Sequence, residues 1–150
     1  MAFVVVRVRG TIHARRDIVE TLRFLHLTRA NHATVVAEAP AVRGMLAKVQ
    51  GYVTWGEADP ETVGLLLKER GTDRDGHRLG GGEPSGAAAD LGELSRTVAT
   101  AGLAGVDQVR PLFRLKAPKG GWRSTKRPFT LGGALGYRGP AINDLVRRMV

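Results

Sequence analysis

The chain contains no cysteine, and this absence excludes disulfide bonds, thiolate metal sites and cysteine nucleophiles. It also lacks a long apolar run near its N-terminus, because Phe3–Val6 is far too short for a signal peptide or a membrane span. The 150 residues are nevertheless 43% apolar, which is typical of a globular chain with a real core. We therefore expect a soluble, cytoplasmic protein with no membrane partner.

The sequence also lacks the patterns that carry common catalytic and metal chemistry. Its four histidines form no H-x-x-x-H pair, and no pair of carboxylates lies beside them at a helical or strand spacing. Asp73–Gly76 begins like a calcium loop but lacks the third oxygen ligand and the closing glutamate. The glycine-rich segment 80–86 lacks the lysine of a phosphate-binding loop. We therefore predict a protein that is not an enzyme, with no metal site, no cofactor and no small-molecule substrate.

A third absence is local: no aspartate or glutamate occurs from Arg110 to Arg138, a segment that we name the basic arm. The arm carries eight arginines and lysines on a backbone rich in glycine and broken by proline. Of the net charge of +9, residues 109–150 contribute +9 and residues 1–58 contribute +4, offset by −3 over 59–90 and −1 over 91–108. Arginine outnumbers lysine 18 to 5, and its planar fork suits phosphate. The charge pattern predicts a surface that binds a polyanion, with nucleic acid favoured.

Hydrophobic periodicity over residues 1–58 predicts the order β-α-β-α-β. The predicted elements are a strand over Phe3–Arg9, a helix from Asp17 ending near Leu27–Ala30, a strand over Ala33–Ala37, a helix from Pro40 to Gly51 and a strand over Tyr52–Trp55. The first strand is expected to bury one face, formed by Val4, Val6 and Val8. Asp17 is expected to be the N-cap of the first helix, and Pro40 suits the first turn of the second.

The remainder of the chain is predicted to be an extension of mostly helical structure. Its predicted elements are a helix from Asp59 to Gly71, a mobile loop over Gly71–Gly86, a helix ending at Gly102, an edge strand over Val109–Leu115 and a C-terminal helix after Gly139-Pro140. In the last helix Ile142, Leu145, Val146 and Met149 share one face, so that helix should dock on the core. We expect an RNA-binding core at residues 1–58 and an extension at 59–150 packed on it as one domain.

Candidate RNA contacts come from the two basic ends of the chain. The basic residues before Asp17 are either a solvated face or phosphate ligands, and Arg43 lies near a helix N-terminus, where phosphate binds readily. Trp122 and Phe129 are expected either to stack on splayed bases or to hold the arm on the core. The predicted RNA-binding residues are Arg7, Arg9, His13, Arg15, Arg16, Arg43, Lys48, Arg114, Lys116, Lys119, Gly120, Gly121, Trp122, Arg123, Lys126, Arg127 and Arg138.

The segment Pro40-Ala41-Val42-Arg43-Gly44-Met45, which follows a predicted strand, resembles the signature of the ribosomal protein L thirty family, whose eukaryotic counterpart is called L seven. The segments Thr21–Leu27 and Asn31–Val36 are similar to the same family. The extension, including Arg114–Gly121, resembles the archaeal form. Some archaeal relatives are very acidic in the extension, whereas this chain is basic there, so its contacts through residues 109–138 are expected to be more extensive.

The resemblance implies an α+β fold with a small antiparallel three-stranded sheet of order 3-1-2, similar to part of a ferredoxin-like fold. It also implies a structural, non-enzymatic protein of the large ribosomal subunit that binds rRNA near the 5S rRNA, beside neighbouring ribosomal proteins. Two alternatives remain open from the residues alone. One is a stand-alone RNA-binding regulator or RNA-processing factor, and the other is a protein-interaction module whose arm binds an acidic partner.

Overall fold

The computed structural model describes residues 2–76, 91–103 and 109–150, with no side-chain description for 91–94. Its elements in chain order are β1 (Ala2–Arg7), α1 (Arg16–Phe24), β2 (His32–Ala37), α2 (Pro40–Lys48), β3 (Val53–Glu57), α3 (Pro60–Arg70), α4 (Leu91–Ala101), β4 (Phe113–Arg114), a 3-10 turn (Phe129–Leu131), β5 (Gly136–Tyr137) and α5 (Ala141–Met149). The predicted β-α-β-α-β order and the predicted helices of the extension are confirmed. The predicted loop over Gly71–Gly86 lies mostly outside the described residues.

The strands form one sheet of order β4-β2-β1-β3-β5. The central strand β1 is antiparallel to both neighbours, with Val5 opposite Thr34 on β2 and opposite Trp55 on β3. The predicted order 3-1-2 is therefore confirmed for these three strands. The predicted three-stranded, wholly antiparallel sheet needs correction, because β4 extends one edge and β5 pairs in parallel with β3 at the other. Strand β4 lies within the predicted edge strand over Val109–Leu115 but has only two residues, and β5, also of two residues, is too short to show a period of two in the sequence.

Strand β1 is buried on both faces, so the prediction of one buried face is wrong. Phe3 and Val5 pack with residues of α1 and α2 in one apolar cluster. Val4 and Val6 pack on the other side with residues of α3, α4 and α5. An uninterrupted apolar run such as Phe3–Val6 supplies side chains to both faces of a strand, because successive side chains alternate. The sheet therefore lies between two layers of helices.

Helix starts follow the sequence with one exception, whereas α1 ends at Phe24 and α2 at Lys48, before the predicted ends near Leu27–Ala30 and at Gly51. Pro40 occupies the first turn of α2, and the side chain of Asp59 accepts a hydrogen bond from the Glu61 amide at the start of α3. The prediction that Asp17 caps α1 is wrong, because the helix begins one residue earlier and its N-cap residue is Arg15. Asp17 instead lies in the first turn, where a carboxylate interacts favourably with the helix dipole.

Helix α5 docks as the periodicity predicts, since Ile142, Leu145, Val146 and Met149 are all buried. These side chains join the same apolar cluster as Val4 and Val6 of β1. The C-terminal helix therefore packs against the sheet on the face that α1 and α2 leave free.

Candidate nucleic-acid interface

The sheet topology brings several basic loops to one end of the molecule, which we name the basic end. Strands β1 and β4 finish there, and β2, β3 and β5 start there, because of the directions in which they pair. The amides of Val8 and Arg9 donate to the carbonyl oxygen of Tyr52, and the amide of Asn31 donates to that of Arg7. The loops after β1, before β2 and before β3 are therefore hydrogen-bonded to one another. Residues 115–135 of the arm connect β4 to β5 at the same end.

The loop after β1 presents exposed cations at this end. His13, Arg15 and Arg16 are exposed, and the two arginines form surface ion pairs of 3.2 Å with Asp17 and Glu20. Exposed pairs of this kind contribute about 0–1 kcal/mol, so an RNA phosphate can compete for either arginine.

Two further cations belong to the same surface. The guanidinium of Arg9 lies over the ring of Tyr52, with its carbon 5.5 Å from the ring centroid. Lys48, in the last turn of α2, lies 3.6 Å from the carboxylate of Asp17. The last turn of α2 and the first turn of α1 therefore meet at the basic end.

Backbone hydrogen bonds and Trp122 help to attach the basic arm to the fold. The amides of Lys116 and Lys119 donate to the carbonyl oxygens of Met149 and Arg148, at 3.1 Å each, at the end of α5. Half-buried Trp122 packs against the main apolar cluster and against a small cluster that includes Val8. This contact supports the second reading of Trp122, in which the ring holds the arm on the core. Exposed arm cations are Arg114, Lys116, Lys119, Arg123, Lys126 and Arg127.

The far half of the arm folds back on itself rather than extending freely. The amide of Leu135 donates to the carbonyl oxygen of Arg127 at 3.2 Å, and the amide of Phe129 donates to that of Leu135 at 2.7 Å. A side chain at Gly133 would collide with the carbonyl of Arg127, so this turn requires glycine. Gly120 has a φ of 84°, a left-handed conformation that also favours glycine. Gly121 shares it, with a φ of 75°.

Arg7 is a predicted RNA-binding residue that the structure places in the interior, with 4% of its surface exposed. Its guanidinium donates to the carbonyl oxygens of Leu27 and Arg9, both at 2.9 Å, and to the hydroxyl of Thr11. Burial lowers the pKa of Arg7 from its usual value. The sequence reading of Arg7 as an outward residue is corrected: it ties the loops of the basic end together.

Arg138 is the second such residue, with 8% exposed. Its Nε donates to the Thr54 hydroxyl at 2.8 Å, and a terminal nitrogen donates to the Ala134 carbonyl oxygen at 2.9 Å. Burial, with a smaller contribution from the nearby charge of Arg148, lowers the pKa of Arg138 to about 10. Its guanidinium carbon lies 4.8 Å from the ring centroid of Phe129. Arg138 therefore fixes β5 to β3 and supports the arm from below.

Arg43 does not join the basic end. Strand β2 runs away from that end, so α2 starts at the opposite end of the sheet, where Arg43 forms an ion pair with Glu38. A cleft there of about 370 Å³ is lined by Arg43 together with Trp55, Glu57 and Tyr137. The sequence places Arg43 near a helix N-terminus, but only the strand direction shows which end that is.

The structure adds two basic residues that the sequence reading missed. Arg29 is exposed in the loop before β2, and its charge acts on His32 together with that of Arg114. Arg148 is exposed in the last turn of α5, where its own carbonyl oxygen holds Lys119. For Arg148 the sequence does contain a signal, since Arg147 and Arg148 are adjacent at the end of the helix that follows the arm.

His32 gives the basic end a pH dependence. Burial, then the charges of Arg114, Arg29 and Arg7, lower the pKa of His32 below its usual 6.5. Its Nδ1 is buried with no hydrogen-bond partner among the described residues. As pH falls through about 6.5 the unfolded chain binds a proton that the folded chain resists, so acidification favours unfolding.

We therefore expect His32→Gln to lose less stability than the wild-type protein when the pH is lowered from about 7.5 to about 5.5. Urea unfolding at both pH values measures the difference. His26→Gln, which removes an exposed histidine, is the matched control. An identical loss of stability in the wild-type protein and His32→Gln would contradict the assignment.

Other functional classes find little support in the described part of the chain. Across residues 2–76, 91–103 and 109–150, no helix is long and apolar enough to cross a membrane. Within the same ranges no three histidines or carboxylates gather as metal ligands. What this part of the chain offers is an α+β fold with a cationic surface at one end.

Comparison with known proteins identifies the family. The sequence profile of ribosomal protein L30p/L7e matches residues 3–53. The large ribosomal subunit protein uL30 of Methanopyrus kandleri is 42% identical over 154 residues, which cover 95% of this chain and 99% of the relative. Proteins of the same name from Methanococcus vannielii and Methanoregula boonei are 40% and 37% identical, covering 100% and 98% of this chain and 100% and 99% of the relatives.

The fold and its surface define a small α+β protein with one basic end and a folded arm. The chain belongs to the L30p/L7e family of ribosomal proteins. This is a family of structural, non-enzymatic proteins, and the family predicted from Pro40–Met45 is confirmed.

Proposed function

We propose that this chain is a structural constituent of the large ribosomal subunit and binds its rRNA through the basic end of the sheet. The observation that carries the proposal is the convergence of the loop after β1, the last turn of α2 and the basic arm at one end of one sheet. The family membership and the name shared by the relatives support the large subunit as the location. The protein would then reside on ribosomes in the cytoplasm, as part of the translation machinery.

The chemistry of the surface suits a phosphate backbone. Lysines and arginines that neutralise phosphates release condensed counterions, which is a favourable and salt-dependent contribution to binding. The exposed cations come from separate loops that are hydrogen-bonded to one another, so their spacing is held by the fold. Ordering them on RNA therefore costs less conformational entropy than ordering a free basic tail.

The proposed contacts are the exposed members of the predicted set, half-buried Arg9, and the two basic residues that the sequence reading missed. They are Arg9, His13, Arg15, Arg16, Lys48, Arg114, Lys116, Lys119, Gly120, Gly121, Arg123, Lys126, Arg127, Arg29 and Arg148. Arg7 and Arg138 support this surface from beneath, half-buried Trp122 packs one side of its ring on the core, and Arg43 lies outside the surface.

The position within the subunit and the division of the chain are further parts of the proposal. We expect the protein to lie near the 5S rRNA, beside other ribosomal proteins, because the family resemblance implies this position. We also propose that the extension over 59–150 folds onto the core over 1–58 as one domain. One apolar cluster contains Val4 of β1, Leu66 of α3 and Ile142 of α5, and this shared cluster supports the packing of the extension on the core.

Binding of the purified protein to large-subunit rRNA across a salt series tests the function. With about six or more phosphates neutralised, we expect log K to fall with log salt at a slope of about −4 or steeper. We also expect the cellular protein to sediment with large subunits at moderate salt. A slope near zero, or a cellular protein wholly free of ribosomes, would contradict the proposal.

A further inference from the structure

A cleft of about 360 Å³ lies between the basic arm and α5, and we name it the arm cleft. One wall is aromatic, with Trp122 and Phe129 from the arm. Asp144 and Arg148 of α5 line the cleft as well, as does Arg123 of the arm. The two aromatic rings and Asp144 are not explained by phosphate binding, because a phosphate site needs no aromatic side chain and is disfavoured by a carboxylate.

We infer that the arm cleft holds one unpaired nucleobase of the RNA, against Trp122 and Phe129, while Arg123 and Arg148 bind the adjoining phosphates. This inference rests on the proposed function and adds a base-binding site to it. Aromatic rings stack on any base, and such stacking requires a base that is splayed out of a helix.

The aromatic rings are suitably placed and supported. Trp122 is half-buried and packs against two apolar clusters, so its ring is held before RNA arrives. Phe129 remains 37% exposed although the guanidinium of Arg138 lies over it. The buried hydrogen bonds of Arg138 to Thr54 and Ala134 hold that guanidinium in place. A preformed site of this kind loses little entropy on binding.

The polar groups of the cleft fit a nucleotide better than a plain anion. The exposed carboxylate of Asp144 lies 3.7 Å from Arg147 in a surface ion pair, and it can accept an N–H from a base edge. Burial is the main cause of the lowered pKa of Arg138, and repulsion by the charge of Arg148 adds a smaller contribution. A phosphate bound to Arg148 would offset that repulsion.

The small residues at the base of the cleft leave room for a flat ligand. Gly121, Gly133 and Ala134 line it, and the turn that contains Gly133 is closed by hydrogen bonds within the arm. A larger side chain is excluded at Gly133 because it would collide with the carbonyl of Arg127. The same glycine that shapes the arm therefore keeps the cleft open.

The test compares two RNAs of equal charge on the full chain. One is an adenosine oligomer of about nine nucleotides, and the other is an abasic oligomer of the same length that keeps every phosphate. Trp55→Phe leaves Trp122 as the sole tryptophan, so its fluorescence reports on the cleft. We expect the adenosine oligomer to quench Trp122 and to bind at least about fivefold more tightly than the abasic oligomer at about 50 mM salt.

Phe129→Ala is expected to weaken binding of the adenosine oligomer by about 5- to 150-fold and to leave the abasic oligomer unaffected. Leu131→Ala is the matched control, because Leu131 is an exposed apolar residue of the same turn and does not line the cleft. Thermal unfolding of both variants verifies that the fold is kept.

The outcomes separate the cleft from the wider function. Equal, salt-dependent binding of both oligomers, with no response of Trp122, would overturn the base site and leave phosphate binding by the basic end intact. Failure of both oligomers and of the rRNA to bind would overturn the base site and the proposed function together.

Discussion

Replacing Lys119, Arg123, Lys126 and Arg127 by glutamine is expected to weaken rRNA binding by about a thousandfold at about 0.15 M salt. The slope of log K against log salt should become shallower by about 3 to 4, because each neutralised phosphate contributes roughly 0.9. All four side chains are exposed, and the arm is held by backbone hydrogen bonds that the changes leave in place. A salt series with filter binding or fluorescence anisotropy measures both quantities.

The control for this variant removes charge elsewhere on the surface. Arg43 and Arg96 are exposed, Arg43 at the opposite end of the sheet and Arg96 in the middle of α4. Changing both to glutamine lowers the net charge by two but should leave the slope within error of the wild-type value. If this double variant lost as much slope per charge as the arm variant, binding would depend on net charge and not on the basic end.

Gly56→Ala is expected to reduce the free energy of unfolding by about 3 kcal/mol, at the upper end of the cost of overpacking. Gly56 lies in β3, and a Cβ there would collide with the backbone oxygen of Gly139 and lie 2.8 Å from Cγ2 of Ile142. A backbone atom cannot rotate away as a flexible side chain can, so the start of α5 must move off the sheet. Urea denaturation measures the loss.

The same substitution should also weaken RNA binding by the folded protein, because the end of α5 holds the backbone of Lys116 and Lys119. Gly44→Ala is the matched control, since Gly44 lies in α2 with nothing within 4 Å of the added carbon. That change should raise stability by about 0.5–1 kcal/mol by restricting the unfolded chain. Equal stability of both variants would show that α5 does not pack closely on β3.

The elements of the core were predictable because each has a local signal. The β-branched apolar run of β1, the apolar spacing of Val42, Met45 and Leu46 in α2, and Pro40 in its first turn depend only on nearby residues. The 3-1-2 order came from the family resemblance rather than from the residues. The structure bears it out for the central strands.

What could not be predicted depends on contacts between distant parts of the chain. The two-residue strand β5 pairs with β3, and Arg138 beside it bonds to Thr54, 84 positions away. Arg7 reads as an outward residue of a strand, yet its burial depends on where the loop with Leu27 returns. Neither fact is visible in a local pattern.

The sequence predicted most of the cations of the candidate surface, and the sheet topology determines which of them lie at the same end. The sequence identified the cations of the arm and of the loop after β1, but it gave no reason to separate Arg43 from Lys48. The antiparallel pairing of β1 and β2 makes that separation, because it puts the start of α2, with Arg43, at the end of the sheet opposite to the basic end, whereas Lys48 in the last turn lies beside Asp17 at the basic end. The sequence did not assign Arg148 to this surface, because only the fold places the end of α5 beside the arm.

The reactivity of the lysines in free and subunit-bound protein tests the central claim most directly. The chain has five lysines: Lys48, Lys116, Lys119 and Lys126 at the basic end, and Lys68 on α3. Brief acetylation followed by mass spectrometry gives the reactivity of each one in both states. We predict strong protection of the four lysines at the basic end in the subunit-bound protein, with Lys68 as reactive as in the free protein. Protection of Lys68 together with full reactivity of Lys116, Lys119 and Lys126 would contradict the account.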